Sequence, residues 1–110
     1  MYDLIPECDL NGIPIARESN ELFGAMLDFY EMCLDIKVKP KYVSFNQSGG
    51  FYFYLPIIDG ECRTGGLIER FLKKYESLHL FNLYIRDGSL RVVFMKDGER
   101  DYYRKEIKDE

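Results

Sequence analysis

The sequence predicts an α+β fold in which one antiparallel sheet carries two helices on a single face. Two Asp-Gly pairs, Asp87-Gly88 and Asp97-Gly98, lie between runs of alternating apolar residues, as they do in tight two-residue hairpins. Two other segments repeat apolar residues at three- and four-residue spacing, which is typical of amphipathic helices. Hairpins and helices in one short chain favour a mixed, layered domain.

The Asp87-Gly88 turn predicts the register of the strands on either side of it. Pairing outward from the turn sets Tyr84 against Arg91 and, further along, Phe81 against Phe94. One face of this ribbon is then apolar, and the other carries the tyrosine and arginine side chains. A slip of one residue would move every side chain to the opposite face, so the turn and the pattern support each other.

The two helical segments have recognisable start signals. Ser19 is a suitable N-cap for a first helix that ends before Pro40, and acidic residues occupy the outer surface of this helix. Thr64 is the corresponding cap for a second helix, which we expect to reach Leu78. The chain's only histidine, His79, then falls at the end of that helix, where it can hydrogen-bond the last carbonyl groups.

The remaining segments read as strands. We expect strands over residues 13–16, 42–45, 51–58, 80–86, 89–96 and 99–107. The first six elements then follow the ferredoxin-like βαββαβ order, with a C-terminal β-meander extension. Proline restricts residues 13–16 to an edge or a strand end, because Pro14 donates no ladder hydrogen bond.

Length and composition indicate a single domain spanning residues 1–110. With 110 residues, of which 46% are hydrophobic, the chain can fill one core but not two. No apolar run approaches 18 residues and the first residues lack signal-peptide features, so we expect a cytoplasmic protein with no membrane contact. The three cysteines match neither a disulfide framework nor a zinc-site spacing, which predicts free thiols for Cys8, Cys33 and Cys62.

No residue pattern demands catalysis, so the sequence favours a protein that is not an enzyme and needs no cofactor or metal. His79 has no nucleophile at an interpretable spacing. Asp59 and Glu61 flank a glycine in the manner of an ordinary surface turn. Gly65-Gly66, beside Arg63, lacks the lysine and hydroxyl residue of a phosphate-binding loop.

The second face of the predicted sheet is the best candidate for a binding site. If the helices cover the phenylalanine side, the opposite side presents tyrosines and arginines. Extending the register through Asp97-Gly98 pairs Val93 with Tyr102 and Arg91 with Arg104. The predicted partner-binding residues are therefore Tyr52, Tyr54, Tyr84, Arg86, Arg91, Tyr102 and Arg104.

Three hypotheses about function follow. The leading one is a small interaction module that binds a protein partner, including a second copy as a homodimer, through this aromatic and basic face; tyrosine and arginine are enriched at protein interfaces. The second is binding of single-stranded nucleic acid or a nucleotide on the same face, although a net charge of −4 argues against placing it first. The third is an inhibitor or adaptor that presents the acidic first helix to a basic partner.

Overall fold

A computed structural model describes residues 4–15, 20–47, 49–57 and 64–98. Its elements in chain order are α1 (Glu21–Asp35), β1 (Tyr42–Asn46), β2 (Gly50–Pro56), α2 (Gly65–Lys74), β3 (Leu78–Arg86) and β4 (Ser89–Lys96). The strands form one four-stranded antiparallel sheet in the order β1-β2-β4-β3. The predicted α+β class with two helices is confirmed.

The ferredoxin-like strand order is not confirmed. Within the predicted strand 13–16, residues 13–15 are described, and they belong to a turn whose only bridge joins Cys8 to Pro14. This turn lies at the outer edge of β1, where the Leu10 N–H donates to the Phe45 carbonyl over 2.9 Å. The inner position that a split βαβ arrangement gives to its first strand is held here by β4.

The same central position of β4 overturns the predicted pairing beyond Asp97-Gly98. β4 is paired with β2 on one side and with β3 on the other. Arg91, for example, lies between Tyr54 and Tyr84, so a further strand cannot pair with it. The predicted pairs of Arg91 with Arg104 and of Val93 with Tyr102 are therefore wrong. Tyr102 and Arg104 themselves lie outside the described residues.

The Asp87-Gly88 hairpin has the predicted register over most of its length. Asp87 and Gly88 have φ angles of 52° and 73°, as a type I′ turn requires, and the pairs run as predicted from Arg86–Ser89 to Asn82–Val93. A β-bulge between Leu80 and Asn82 then changes the register, so that Leu80 rather than Phe81 faces Phe94.

The ends of the helices differ from the predicted ones. α1 is capped by Asn20, whose side-chain oxygen accepts the Phe23 N–H over 3.0 Å, and the predicted cap Ser19 lies outside the described residues. Thr64 is at the N-cap of α2 as expected, but its side chain makes no capping hydrogen bond. α2 ends at Lys74, and His79 lies in β3 opposite Met95 instead of at the helix end.

Both helices pack on the phenylalanine face of the sheet. Phe29 of α1 is fully buried, and its ring centroid lies 4.9 Å from Phe53 and 4.8 Å from Phe94. Phe71 of α2 lies 5.1 Å from Phe29 and 4.7 Å from Phe94. The predicted arrangement of both helices on one face is thus seen directly in ring contacts. Within the described residues, no helix lies on the opposite face of the sheet.

The two cysteines that the structure describes are free, as predicted. Cys33 is fully buried on α1, and this burial raises the pKa of its thiol to about 12. Cys8 is exposed. Cys62 lies outside the described residues.

A polar contact joins the two helices at the edge of the core. The Tyr75 hydroxyl donates to Asp28 Oδ2 over 2.8 Å, and Lys74 Nζ lies 2.7 Å from the same oxygen. Burial, together with the hydrogen bond to Asp28, raises the pKa of Tyr75 from 10.0 to about 12.

This raised pKa predicts a pH-dependent part of the stability. Because the folded-state pKa of Tyr75 lies above the unfolded one, its contribution is complete below pH 10 and disappears as the pH rises to about 12. Tyr75→Phe should lower the free energy of unfolding by about 1 kcal/mol at neutral pH. Urea denaturation of both proteins should show this difference shrinking between pH 10 and about 12. A difference that stays constant throughout that window would contradict the assignment.

Candidate functional site

The face of the sheet opposite the helices carries a continuous cross-strand row of large polar side chains. Tyr42 on β1 pairs with Tyr54 on β2, Tyr54 pairs with Arg91 on β4, and Arg91 pairs with Tyr84 on β3. The row thus crosses all four strands. Tyr52 and Arg86 lie on the same face beside it. We call these six residues, Tyr42, Tyr52, Tyr54, Tyr84, Arg86 and Arg91, the tyrosine–arginine face.

Arg91 lies at the centre of the tyrosine–arginine face. Its guanidinium carbon is 4.3 Å from the Tyr52 ring centroid and 5.5 Å from that of Tyr84, which are cation–π distances. Its Nη1 group also donates to the Tyr84 hydroxyl. The Nε atom is buried and has no hydrogen-bond partner. Arg91 therefore orders the neighbouring rings and retains one unsatisfied donor.

Three tyrosines form the β1–β2 half of the face. The ring centroids of Tyr42 and Tyr54 are 5.7 Å apart, those of Tyr52 and Tyr54 are also 5.7 Å apart, and those of Tyr42 and Tyr52 are 6.1 Å apart. Tyr42 is 49% exposed, whereas Tyr52 and Tyr54 are half-buried. The three rings thus form one contiguous surface that offers both aromatic area and hydroxyl groups.

The sequence did not single out Tyr42 as a site residue. The alternation of Tyr42 and Ser44 with Val43 and Phe45 is visible in the sequence. What was missing was the register of the hairpin between β1 and β2, which pairs Asn46 with Gly50 and so brings Tyr42 opposite Tyr54.

The charges on this face are positive. The side chain of Arg86 is 63% exposed. A hydrogen bond with Tyr84 is the main cause that raises the pKa of Arg86, and an electrostatic interaction with Tyr54 is the second. At the edge of the face, Lys41 Nζ donates to Ser89 Oγ over 2.9 Å, and Ser89 is the strand partner of Arg86. Asp87 lies 3.9 Å from Arg86, but both side chains are exposed and the pair is weak.

The face is open over only part of its length. Ser44, Val93 and Met95 belong to it by strand alternation, yet Ser44 is 4% exposed, Val93 is 6% exposed and Met95 is fully buried. The accessible part is therefore the end that contains the cross-strand row and Arg86. Five of the seven predicted site residues, Tyr52, Tyr54, Tyr84, Arg86 and Arg91, are brought together there.

The other polar candidates form no catalytic arrangement in the described ranges. His79 Nδ1 lies 2.7 Å from Asp97 Oδ1, and the Asp97 N–H donates to the Ser77 carbonyl over 2.8 Å. Within the described ranges, no serine, threonine or cysteine side chain hydrogen-bonds this pair. No group of three His, Cys, Asp or Glu residues converges within the same ranges. Asp59, Glu61 and Arg63 lie outside the described residues.

Of the acidic residues expected on the outer surface of α1, three are exposed and one is bonded to other residues of the protein. Glu21, Glu31 and Asp35 are exposed. Asp28 is half-buried and bonded to Lys74 and Tyr75. The hypothesis of an acidic surface that meets a basic partner stays a prediction carried by the three exposed carboxylates.

Comparison of the chain with protein-family models, curated proteins and solved structures returned no match. Among the described residues, no helix combines the length and apolar character needed to span a membrane.

Proposed function

We propose that this protein is a small, non-enzymatic binding module that takes up an acidic protein segment on its tyrosine–arginine face. The observation that carries the proposal is the row of Tyr42, Tyr54, Arg91 and Tyr84 across the sheet face opposite the two helices. Tyrosine and arginine supply much of the binding energy at protein interfaces, because each offers a large contact area together with hydrogen bonds.

The cations of the face favour a partner that brings carboxylates. Arg86 and Arg91 lie on the same face, and Asp87 is at the turn beside Arg86. Face-to-face contact between two copies would bring the two arginines of each copy against those of the other, which costs free energy. An acidic segment from a different protein satisfies these cations better than a second copy does on this surface.

The protein partner is preferred over nucleic acid for reasons of charge. Binding to single strands depends on cations that neutralise phosphates. Here Arg91 already donates to Tyr84 and Lys41 to Ser89, and the chain carries a net charge of −4. Nucleic acid is therefore the second candidate for the same face.

Selection of random displayed peptides on the purified protein tests the proposal. We expect enriched peptides to combine Asp or Glu with aromatic or aliphatic residues. Binding of a selected peptide should weaken by about thirtyfold in Tyr42→Ala and in Arg86→Glu, in line with interface hot spots of about 2 kcal/mol. Both side chains are exposed, so both variants should fold.

The matched control is Arg70→Glu, which makes the same charge change at an exposed position on α2. This variant should bind the selected peptide as the wild type does. Equal losses in Arg70→Glu and Arg86→Glu would mean that only net charge matters, and the proposal would fail. Tight, Arg86-dependent binding of a twelve-nucleotide oligothymidine, without any peptide binding, would replace it by the nucleic-acid function.

A further inference from the structure

In the part of the chain that the structure describes, no strand pairs with the outer edge of β3, so some of its backbone groups lie outside the sheet ladder. A two-residue turn makes Arg86 and Ser89 a hydrogen-bonded pair, so Tyr84 and Arg91 form the next such pair. The N–H and C=O groups of Leu83 and Ile85 consequently point away from β4. In agreement with this, the Leu83 N–H donates to the Asn82 side-chain oxygen over 2.8 Å.

The side chains along this edge are apolar and exposed. Leu83 is 45% exposed and Ile85 is 66% exposed, and both project from the face of the sheet that carries the helices. Natural edge strands are usually protected by lysine, proline or a bulge. The bulge of β3 lies between Leu80 and Asn82, before the exposed Leu83 and Ile85. The segment that follows the bulge pairs regularly with β4, so the bulge does not protect its outer edge.

The regular segment is short and has a defined centre. It begins after the bulge at Asn82 and ends at Arg86, before the turn residue Asp87. Its midpoint is Tyr84. When two copies of this segment pair antiparallel, a two-fold axis relates them. Every residue of the segment has a partner only if that axis passes through the midpoint.

We propose that two copies of the protein pair antiparallel through β3, with the two-fold axis at Tyr84. Leu83 then faces Ile85 of the second copy and exchanges two backbone hydrogen bonds with it, and the symmetric pair adds two more. Asn82 faces Arg86 of the second copy, so no like charges are opposed. The contact extends the sheet to eight strands.

This pairing also enlarges the tyrosine–arginine face. The cross-strand row ends at Tyr84 in one copy and would continue through Tyr84 of the second copy into its own row. Association of the purified protein can be measured without any ligand, independently of the proposed binding of an acidic segment.

Sedimentation equilibrium at rising concentration tests the association. We expect a monomer–dimer equilibrium that Ile85→Lys weakens by about tenfold or more, since a charge on an edge blocks strand pairing. Asn82→Ala should strengthen it by roughly fivefold, because the Leu83 N–H no longer needs to be released from the side chain. Ile13→Lys, at a 54% exposed position in the N-terminal turn, is the matched control and should associate as the wild type does.

Cysteine cross-linking tests the register. In a background with Cys8→Ser and Cys62→Ser, Tyr84→Cys should form a disulfide-linked dimer under mild oxidation, because residues at the axis face each other. Asn82→Cys and Arg86→Cys should each cross-link poorly alone and efficiently when mixed. A protein that stays monomeric at millimolar concentration, or self-linkage of Arg86→Cys in preference to Tyr84→Cys, would overturn the inference.

Discussion

Phe29→Ala should lower the free energy of unfolding by about 3–5 kcal/mol, the range for phenylalanine removed from a packed core. The ring is fully buried, and its centroid lies within 5.1 Å of those of Phe53, Phe71 and Phe94. Phe29 therefore joins α1 both to the sheet and to α2. Urea denaturation followed by circular dichroism measures the change through the midpoint of the transition.

Two further variants keep this prediction testable when the alanine protein is too unstable to study. Phe29→Leu retains most of the apolar volume and should cost about 1–2 kcal/mol. Leu34→Ala, on the same helix at a 37% exposed position, should change the stability by about 0.5 kcal/mol. Equal effects of Phe29→Leu and Leu34→Ala would mean that the Phe29 ring contacts do not hold the helices to the sheet.

Gly50→Ala should destabilise the protein by about 3 kcal/mol, at the upper end of the cost of overpacking. A Cβ atom at this position would lie 2.1 Å from the Phe94 carbonyl oxygen and 2.9 Å from the Met95 Cα. Both are backbone atoms of the neighbouring strand, so relief requires β2 and β4 to move apart. Such a movement would also disturb Tyr52 and Tyr54, which lie on β2.

Gly24→Ala is the matched control for this change. Gly24 lies within α1, and apart from its chain neighbours and the backbone of its own helix, no atom lies within 4 Å of an added Cβ. Alanine should therefore stabilise the helix by about 0.5–1 kcal/mol. Thermal unfolding should show opposite shifts for the two glycine variants, and a neutral or stabilising Gly50→Ala would contradict the close approach of the strands.

Local chemistry in the sequence predicted local structure well. The Asp87-Gly88 turn requires positive φ at both positions, and only one register of the flanking strands gives a consistent apolar face. Five cross-strand residue pairs between β3 and β4 were therefore predicted correctly. The bulge between Leu80 and Asn82 was not predicted, because the alternation of apolar and polar residues in the sequence continues without interruption through Phe81. The shift of His79 from a helix end to a strand follows from the early end of α2 at Lys74.

Long-range arrangement was less predictable. Hydrophobic alternation identifies β4 as a strand but does not say how many neighbours it has, and a second Asp-Gly pair after it suggested a hairpin that the occupied edges of β4 exclude. Residues 13–15 alternate like a strand, yet Gly12, at a φ of 80°, turns the chain back on itself at the edge of β1. Neither the two neighbours of β4 nor the turn at residues 13–15 can be predicted from the alternation of apolar and polar residues along the chain.

For the candidate site, strand alternation was sufficient to group Tyr52, Tyr54, Tyr84, Arg86 and Arg91 on one face. The addition of Tyr42 needed the register of the β1–β2 hairpin. The burial of Val93 and Met95, on the same face, could not be read from alternation, because alternation gives the direction of a side chain and not what covers it.

Nuclear magnetic resonance can locate the surface on which the protein binds a selected peptide. The isotope-labelled protein is titrated with a peptide from the display selection while its backbone amide signals are followed. We expect the largest shifts at Tyr42, Tyr54, Tyr84, Arg86 and Arg91, with α1 and α2 nearly unchanged. Shifts concentrated on the acidic surface of α1, with an undisturbed sheet, would mean that the tyrosine–arginine face is not the binding site.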